Sequence, residues 1–294
     1  MPKLIRKALF WAAVLYALSL PFSFILGGAL FARPVKDPVS IANLADALDP
    51  AWDRTFLSGL REVAIQLRPG VSLRATVFGG DSYATVIVLH ESRKNRLSGL
   101  PAAYALWSAG FDVLLVDRRA HGSSDGDMLP LFGGEEQDLT MVVNELISSD
   151  WSGTSRIGMF GMGDAGTSCL IAAAADPRID AVVAQNPALR ADDFVATRLR
   201  SWFLLPEPLL VAQTYLAVTG MCVLANVDRA QLDASSQIAG LRTPTLLLLD
   251  TTEGRREPTS DVFRTIPSGV ASLQEDSDVL SLYGSMVEFF DRHL

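Results

Sequence analysis

The sequence predicts an α/β domain with a mostly parallel central sheet flanked by helices, an inserted helical cap and an N-terminal transmembrane helix. From residue 84 onward, short β-branched or aliphatic runs alternate with helical patterns, which is how strands covered on both faces by helices read. Between 186 and 241 helical patterns without a strand interrupt that alternation, and residues 8–32 form 25 consecutive positions without a charge.

At the helical rise, 25 residues cross a hydrocarbon core with some tilt. Pro21 lies within the run, where a membrane helix tolerates it if neighbouring groups satisfy the freed backbone. A cleaved secretory signal is the alternative, but its apolar region would be shorter, and Ala29-Leu30-Phe31-Ala32 is a poor small-residue cleavage site. Residues 1–33 are therefore read as a single-pass anchor. Lys3, Arg6 and Lys7 precede the span, while Arg33 and Lys36 follow it with Asp37 close behind. That balance favours a cytoplasmic N-terminus and a periplasmic or extracellular domain. Residues 34–59, punctuated by Pro and Asp, read as a connector onto the domain surface with a short helix at 41–48.

The domain proper is assigned to 60–294, a length that suits one large core. Runs at 62–67 and 71–78 flank Arg68-Pro69-Gly70, a turn signal that predicts an antiparallel hairpin. Strands follow at 85–89, 113–116, 157–160, 181–184 and 245–249, with helices at 97–108, 134–148, after Asp164 and at 280–292. In the 186–241 insertion, Trp202, Phe203, Leu209, Leu210, Tyr215 and Leu216 supply apolar helical faces. Packing on the main domain and lining a substrate-facing lid both fit them.

A formal net charge of −8 without a long basic cluster excludes nucleic acid as the main partner. Cys169 and Cys222 lack paired spacing, and the three histidines form no metal-ligand cluster, so no cofactor or metal is expected. Both cysteines read as packed small hydrophobes.

Three segments carry the chemistry-bearing residues. Val86-Ile87-Val88-Leu89-His90-Glu91-Ser92-Arg93 ends a strand on a histidine, and Asp117-Arg118-Arg119-Ala120-His121-Gly122-Ser123-Ser124 follows the next strand. Ile157-Gly158-Met159-Phe160-Gly161-Met162-Gly163-Asp164-Ala165-Gly166 reads as strand, sharp turn and helix. In this order, with helices between them, they resemble the α/β-hydrolase superfamily over roughly 60–294, in particular membrane-anchored bacterial members related to serine aminopeptidases and lipase-like esterases. The resemblance implies an α/β-hydrolase fold, an oxyanion loop at His90 and Glu91, an elbow of the G-x-S-x-G type, and the chain order nucleophile, acid, histidine.

Position by position the pattern departs from that of a working enzyme. Gly163 stands at the nucleophile position, between the small residues Gly161 and Ala165, and has no side chain to attack with. Glycine also adopts the strained elbow conformation at little steric cost. Asp164 is the adjacent carboxylate, but as an apex it would have Met162 and Gly166 two positions away, and Met162 is too large. A cap on the following helix is the expectation for Asp164 instead. Glu253 falls where the resemblance puts the acid, with Asp250 a near alternative. No histidine occurs between Gly122 and Arg292, and the loop that should carry it reads Glu275-Asp276-Ser277-Asp278. His90 and His121 match structural loop positions, and His293 sits at the chain end. Glu91 replaces the glycine that the resemblance places after His90 and brings a charge that disfavours a developing oxyanion.

The sequence therefore points to a catalytically degenerate hydrolase-fold protein, a membrane-tethered binding or interaction module with a small-molecule or acyl ligand under the cap. The alternative is an active esterase or peptidase that uses Asp164, Glu253 and His90 as substitutes. Removing one member of a nucleophile–base pair already costs about 10⁴- to 10⁶-fold in rate, which weighs against that alternative.

Overall fold

Gly70, at φ +78°, closes the hairpin between β1 (Arg61–Arg68) and β2 (Val71–Phe78), and the sheet grows inward from there. The computed structural model describes residues 5–7, 10–11, 14, 16–21, 24–25, 36–39, 44, 46–49, 51–57, 59–79, 84–128, 134–149, 155–202, 206–253 and 256–294. The further strands are β3 (Ala84–Leu89), β4 (Asp112–Asp117), β5 (Arg156–Met162), β6 (Ala181–Gln185), β7 (Thr245–Asp250) and β8 (Ala271–Asp276). Their order is β1-β2-β4-β3-β5-β6-β7-β8. β2 pairs antiparallel with both β1 and β4, and every later pairing is parallel.

The helices are α1 (Leu100–Ser108), α2 (Glu135–Ser148), α3 (Asp164–Ala175), α4 (Ala191–Trp202), α5 (Glu207–Ala225), α6 (Ser235–Ile238), α7 (Arg256–Thr265) and α8 (Val279–His293). Side chains alternate across the strands with period two, which gives the sheet two cores. In β3, Val86 and Val88 join Leu106 of α1 and Phe290 of α8, while Ile87 and Leu89 join Val142 of α2 and Leu170 of α3. The helices α4 to α6 leave from β6 and return to β7, where the sequence placed its insertion. Phe194 and Val195 of α4 pack on Val218 and Met221 of α5 in a small core of their own.

Three features differ from the sequence reading. Glu275 and Asp276, read as loop residues, end β8, an edge strand whose side chains are at most half-buried and so too polar to register as an apolar run. The helix α7 was also missed, since only Val262 and Ile266 of that region reach the core. The connector is no surface lead: Val39, Leu44, Leu48 and Phe56 are buried, and the Phe56 ring stacks on Phe78 with centroids 4.3 Å apart. Of its predicted helix, Leu44 and Asp46 are helical and most of the rest lies outside the described residues.

Most of the predicted anchor likewise lies outside the described residues, although residues 5–7, 10, 11, 14, 16–21, 24 and 25 are helical. Among the described residues, the helix long and apolar enough to cross a membrane is α5. Gln213 of α5 donates through Nε2 to Ser19 Oγ at 2.8 Å.

The elbow depends on how closely α3 approaches β5: a Cβ on Gly161 would lie 2.5 Å from the Ala165 carbonyl oxygen. Gly161→Ala is expected to lower stability by about 1–3 kcal/mol through overpacking, read as a lower urea midpoint at unchanged m-value. Gly240→Ala, where nothing lies within 4 Å of the added carbon, should leave the midpoint almost where it was.

Candidate functional site

β5 ends at Met162, and Gly163 turns the chain into α3 at φ +60° and ψ −125°, in a region that costs other residues of order 1–3 kcal/mol. The Gly163 amide donates to the Gln185 carbonyl at 2.8 Å, and the Gly163 carbonyl accepts from the Gly166 amide at 3.0 Å. These bonds hold the turn without any side chain. Along the same C-terminal edge of the sheet, where open α/β folds place ligands, stand Gln185 at the end of β6, Asn186 just after it and Asp250 at the end of β7. Asn186 has a left-handed backbone, φ +49°, and its Oδ1 accepts from the Asp250 amide at 2.9 Å.

The side chain that faces the apex is Glu91. A Cβ built on Gly163 would sit 2.6 Å from Glu91 Oε1 and 2.8 Å from its Cδ. Arg198 of α4 pairs with that same Oε1 at 2.6 Å, so the inserted helices reach the elbow. Sequence reasoning assigned Glu91 to the oxyanion loop; the fold lays its carboxylate over the apex itself. Arg198 was missed because it reads as one more polar position on an amphipathic helix.

Asp164 is neither a cap nor an available nucleophile, which corrects the sequence expectation. The N-cap of α3 is Gly163, with no side-chain cap bond, and the Asp164 carboxylate points inward. It accepts from Ser92 N at 2.9 Å, Ser92 Oγ at 2.5 Å and Arg118 Nη1 at 2.7 Å. Arg118 also grips Glu135 through Nε and Nη2, each at 2.6 Å, and Ser168 Oγ donates to Glu135 as well. Burial works against the charge on Asp164, but the Arg118 guanidinium and the Ser92 donors outweigh it and hold the carboxyl below its ordinary value. Arg118 lies in a charge run that looks solvated in sequence, and nothing local marks it as buried.

The histidines are structural. His90 is bonded through Nδ1 to the Glu91 carbonyl at 2.8 Å, and its Nε2 accepts from the Arg118 amide at 3.1 Å. His121 repeats the arrangement, with Nδ1 to the Arg119 carbonyl at 3.0 Å and Nε2 accepting from the Arg93 amide at 3.1 Å. His293 packs its ring against Phe289 at the end of α8. Of the two acid candidates, Asp250 lines a cavity of about 220 Å³ that Gly163, Glu91, Lys94, Gln185 and Tyr283 also line. Glu253 closes the short turn Thr251–Glu253, and its side chain lies outside the described residues.

Residues 51–217 match the profile of the X-Pro dipeptidyl-peptidase (S15 family). The uncharacterized protein YqkD of Bacillus subtilis (strain 168) is 31% identical over 144 residues, 48% of this chain and 47% of that protein. The match thus spans about half the length of that relative. Among solved structures, the Pyrococcus furiosus esterase Pf2001 superposes with a TM-score of 0.64 at 19% identity, covering 90% of this chain and 98% of that one. The dienelactone hydrolase of Anabaena variabilis does so with a TM-score of 0.55 at 16% identity, over 80% of this chain and 99% of that one. At these identities the shared property is the α/β-hydrolase fold.

The two buried imidazoles make stability depend on pH. Burial, then the Arg118 guanidinium, holds both below the ordinary histidine value, and His90 well below it. As pH falls below about 6.5, the unfolded chain takes up protons that the folded state refuses. Stability is therefore complete above that pH and is lost below it, by up to about 1.4 kcal/mol per pH unit for each ring. Urea midpoints should fall between pH 6.5 and 5.5 and fall less steeply in His121→Gln; a flat profile would mean that the folded protein protonates these rings.

Proposed function

The chain belongs to the X-Pro dipeptidyl-peptidase (S15) family, and on that premise we propose that it is a member without hydrolytic activity that uses the site at its elbow for binding, tethered to a membrane by its N-terminal segment. The observation that supports this most directly is the Glu91 carboxylate 2.6 Å from the Cβ position of Gly163. A hydrolase of this fold needs a nucleophile at the apex, a base within hydrogen-bond reach, and donors aimed at the charge that develops. Here the apex residue has no side chain, and a negative group occupies the space beside it.

The substitutes considered from sequence have other partners. Both oxygens of Asp164 are taken by Ser92 and Arg118, and both ring nitrogens of His90 are bonded to main-chain groups. Asp250 stands at the cavity without a histidine to orient, since His90, His121 and His293 all lie elsewhere. Esterase or peptidase chemistry of the kind the family name implies thus lacks its acting groups, while the cavity and its polar walls remain.

The tether is supported by the charge-free run at 8–32 and by the exposure of Phe10, Trp11, Leu18 and Ile25 on its helical positions. Lys3, Arg6 and Lys7 ahead of the run favour a domain outside the cytoplasm.

Two experiments test these readings. The purified full chain, offered a fluorophosphonate probe, p-nitrophenyl esters and Gly-Pro-p-nitroanilide, should show neither labelling nor turnover above the buffer rate. Turnover that disappears in Glu91→Gln, with the far-UV spectrum unchanged, would overturn the proposal of inactivity. The full chain should stay with membranes after alkaline carbonate extraction, while a chain beginning at Arg33 should be released. Release of both would refute the tether.

A further inference from the structure

At the elbow, among the described residues, a buried carboxylate has no counter-ion and a buried amide oxygen has no donor. Asp250 is 4% exposed and has no ion-pair partner among the described residues. The hydrogen bonds it accepts, from Thr252 N at 2.8 Å and Thr252 Oγ at 2.6 Å, both end on Oδ1. Gln185 is 7% exposed, and its buried Oε1 has no hydrogen-bond partner. Buried charges are ordinarily paired and buried acceptors ordinarily bonded.

Both groups line the 220 Å³ cavity, whose walls also include Met162, Gly163, Val279 and Tyr283. Val279 begins the last helix, next to the loop that brings a histidine to the acid in the chain order of this fold. The cavity therefore lies where an imidazole would donate to Asp250, and it has room for about seven water volumes. Glu91, the other carboxylate on its wall, already has Arg198. Lys94, also on the wall, is exposed.

From the convergence of an unpaired buried carboxylate and an unpartnered buried amide oxygen on one cavity, we infer that this site binds a small organic monoammonium ion, with N–H donors directed to Asp250 Oδ2 and Gln185 Oε1. The inference rests on the binding role proposed above and names the ligand chemistry of that same site.

Isothermal titration of the full chain with n-butylamine and with glycinamide tests it, with butanol and N-acetylglycinamide as their neutral counterparts. Both ammonium probes should bind saturably, and the neutral counterparts at least ten-fold more weakly. Tighter binding of butylamine would identify a free aliphatic amine as the source, and tighter binding of glycinamide an α-amino compound. Asp250→Asn should weaken binding at least ten-fold. So should Val279→Phe, which puts a larger side chain on the cavity wall away from both acceptors' own residues, with circular dichroism confirming that each variant folds. Absence of saturable binding by either probe, equal affinity for the neutral counterparts, or unchanged affinity in both variants would overturn the inference. Ester turnover alongside intact, Asp250-dependent ammonium binding would remove the proposal of inactivity and leave this site standing, whereas inactivity without ammonium binding would remove only this site.

Discussion

The guanidinium of Arg118 ties together the elements that meet at the elbow. It follows β4, donates to the His90 carbonyl at the end of β3, and pairs with Glu135 at the start of α2 and Asp164 at the start of α3. All these groups are buried, and removing one partner from such a network typically costs about 3–5 kcal/mol because the charges left behind cannot reach water. The same contacts decide what chemistry is open to the site. Asp164 is the carboxylate nearest in sequence to the apex, yet it is held inward by Arg118 and Ser92, and its role is to fix the start of α3 against β3 and β4.

The sheet was legible because strands covered on both faces must be apolar at nearly every position, as β3 and β7 are. The elbow was legible because its small residues answer to a steric rule: α3 and β5 approach so closely at Gly161 that a methyl group would collide with the backbone. Contacts between distant segments left no such mark. Arg118 and Arg119 are adjacent and chemically alike, but the first is buried between two carboxylates while the second pairs with Asp138 nearer the surface. Arg198 meets Glu91 only because the inserted helices fold back over the sheet edge. β8 escaped notice because an edge strand with one thinly covered face does not need an apolar sequence.

The turn needs no apex side chain to hold it. Main-chain bonds from Gly163 to Gln185 and Gly166 hold the elbow, and the polar groups that ring it sit on the ends of β6 and β7. A fold of this kind keeps a concave, polar sheet edge for as long as the strands pack, whatever the apex residue is.

The contact between Glu91 and the elbow also constrains substitution at both positions. A serine placed at 163 would have to adopt φ +60° and would bring its Cβ to within 2.6 Å of the Glu91 carboxylate, so the Glu91 side chain would have to shift to admit it. Moving Glu91 aside would take its carboxylate away from Arg198, with which it pairs at 2.6 Å. The two positions are therefore coupled: a side chain at 163 and the Glu91–Arg198 pair compete for one space, and a change at either is felt at the other.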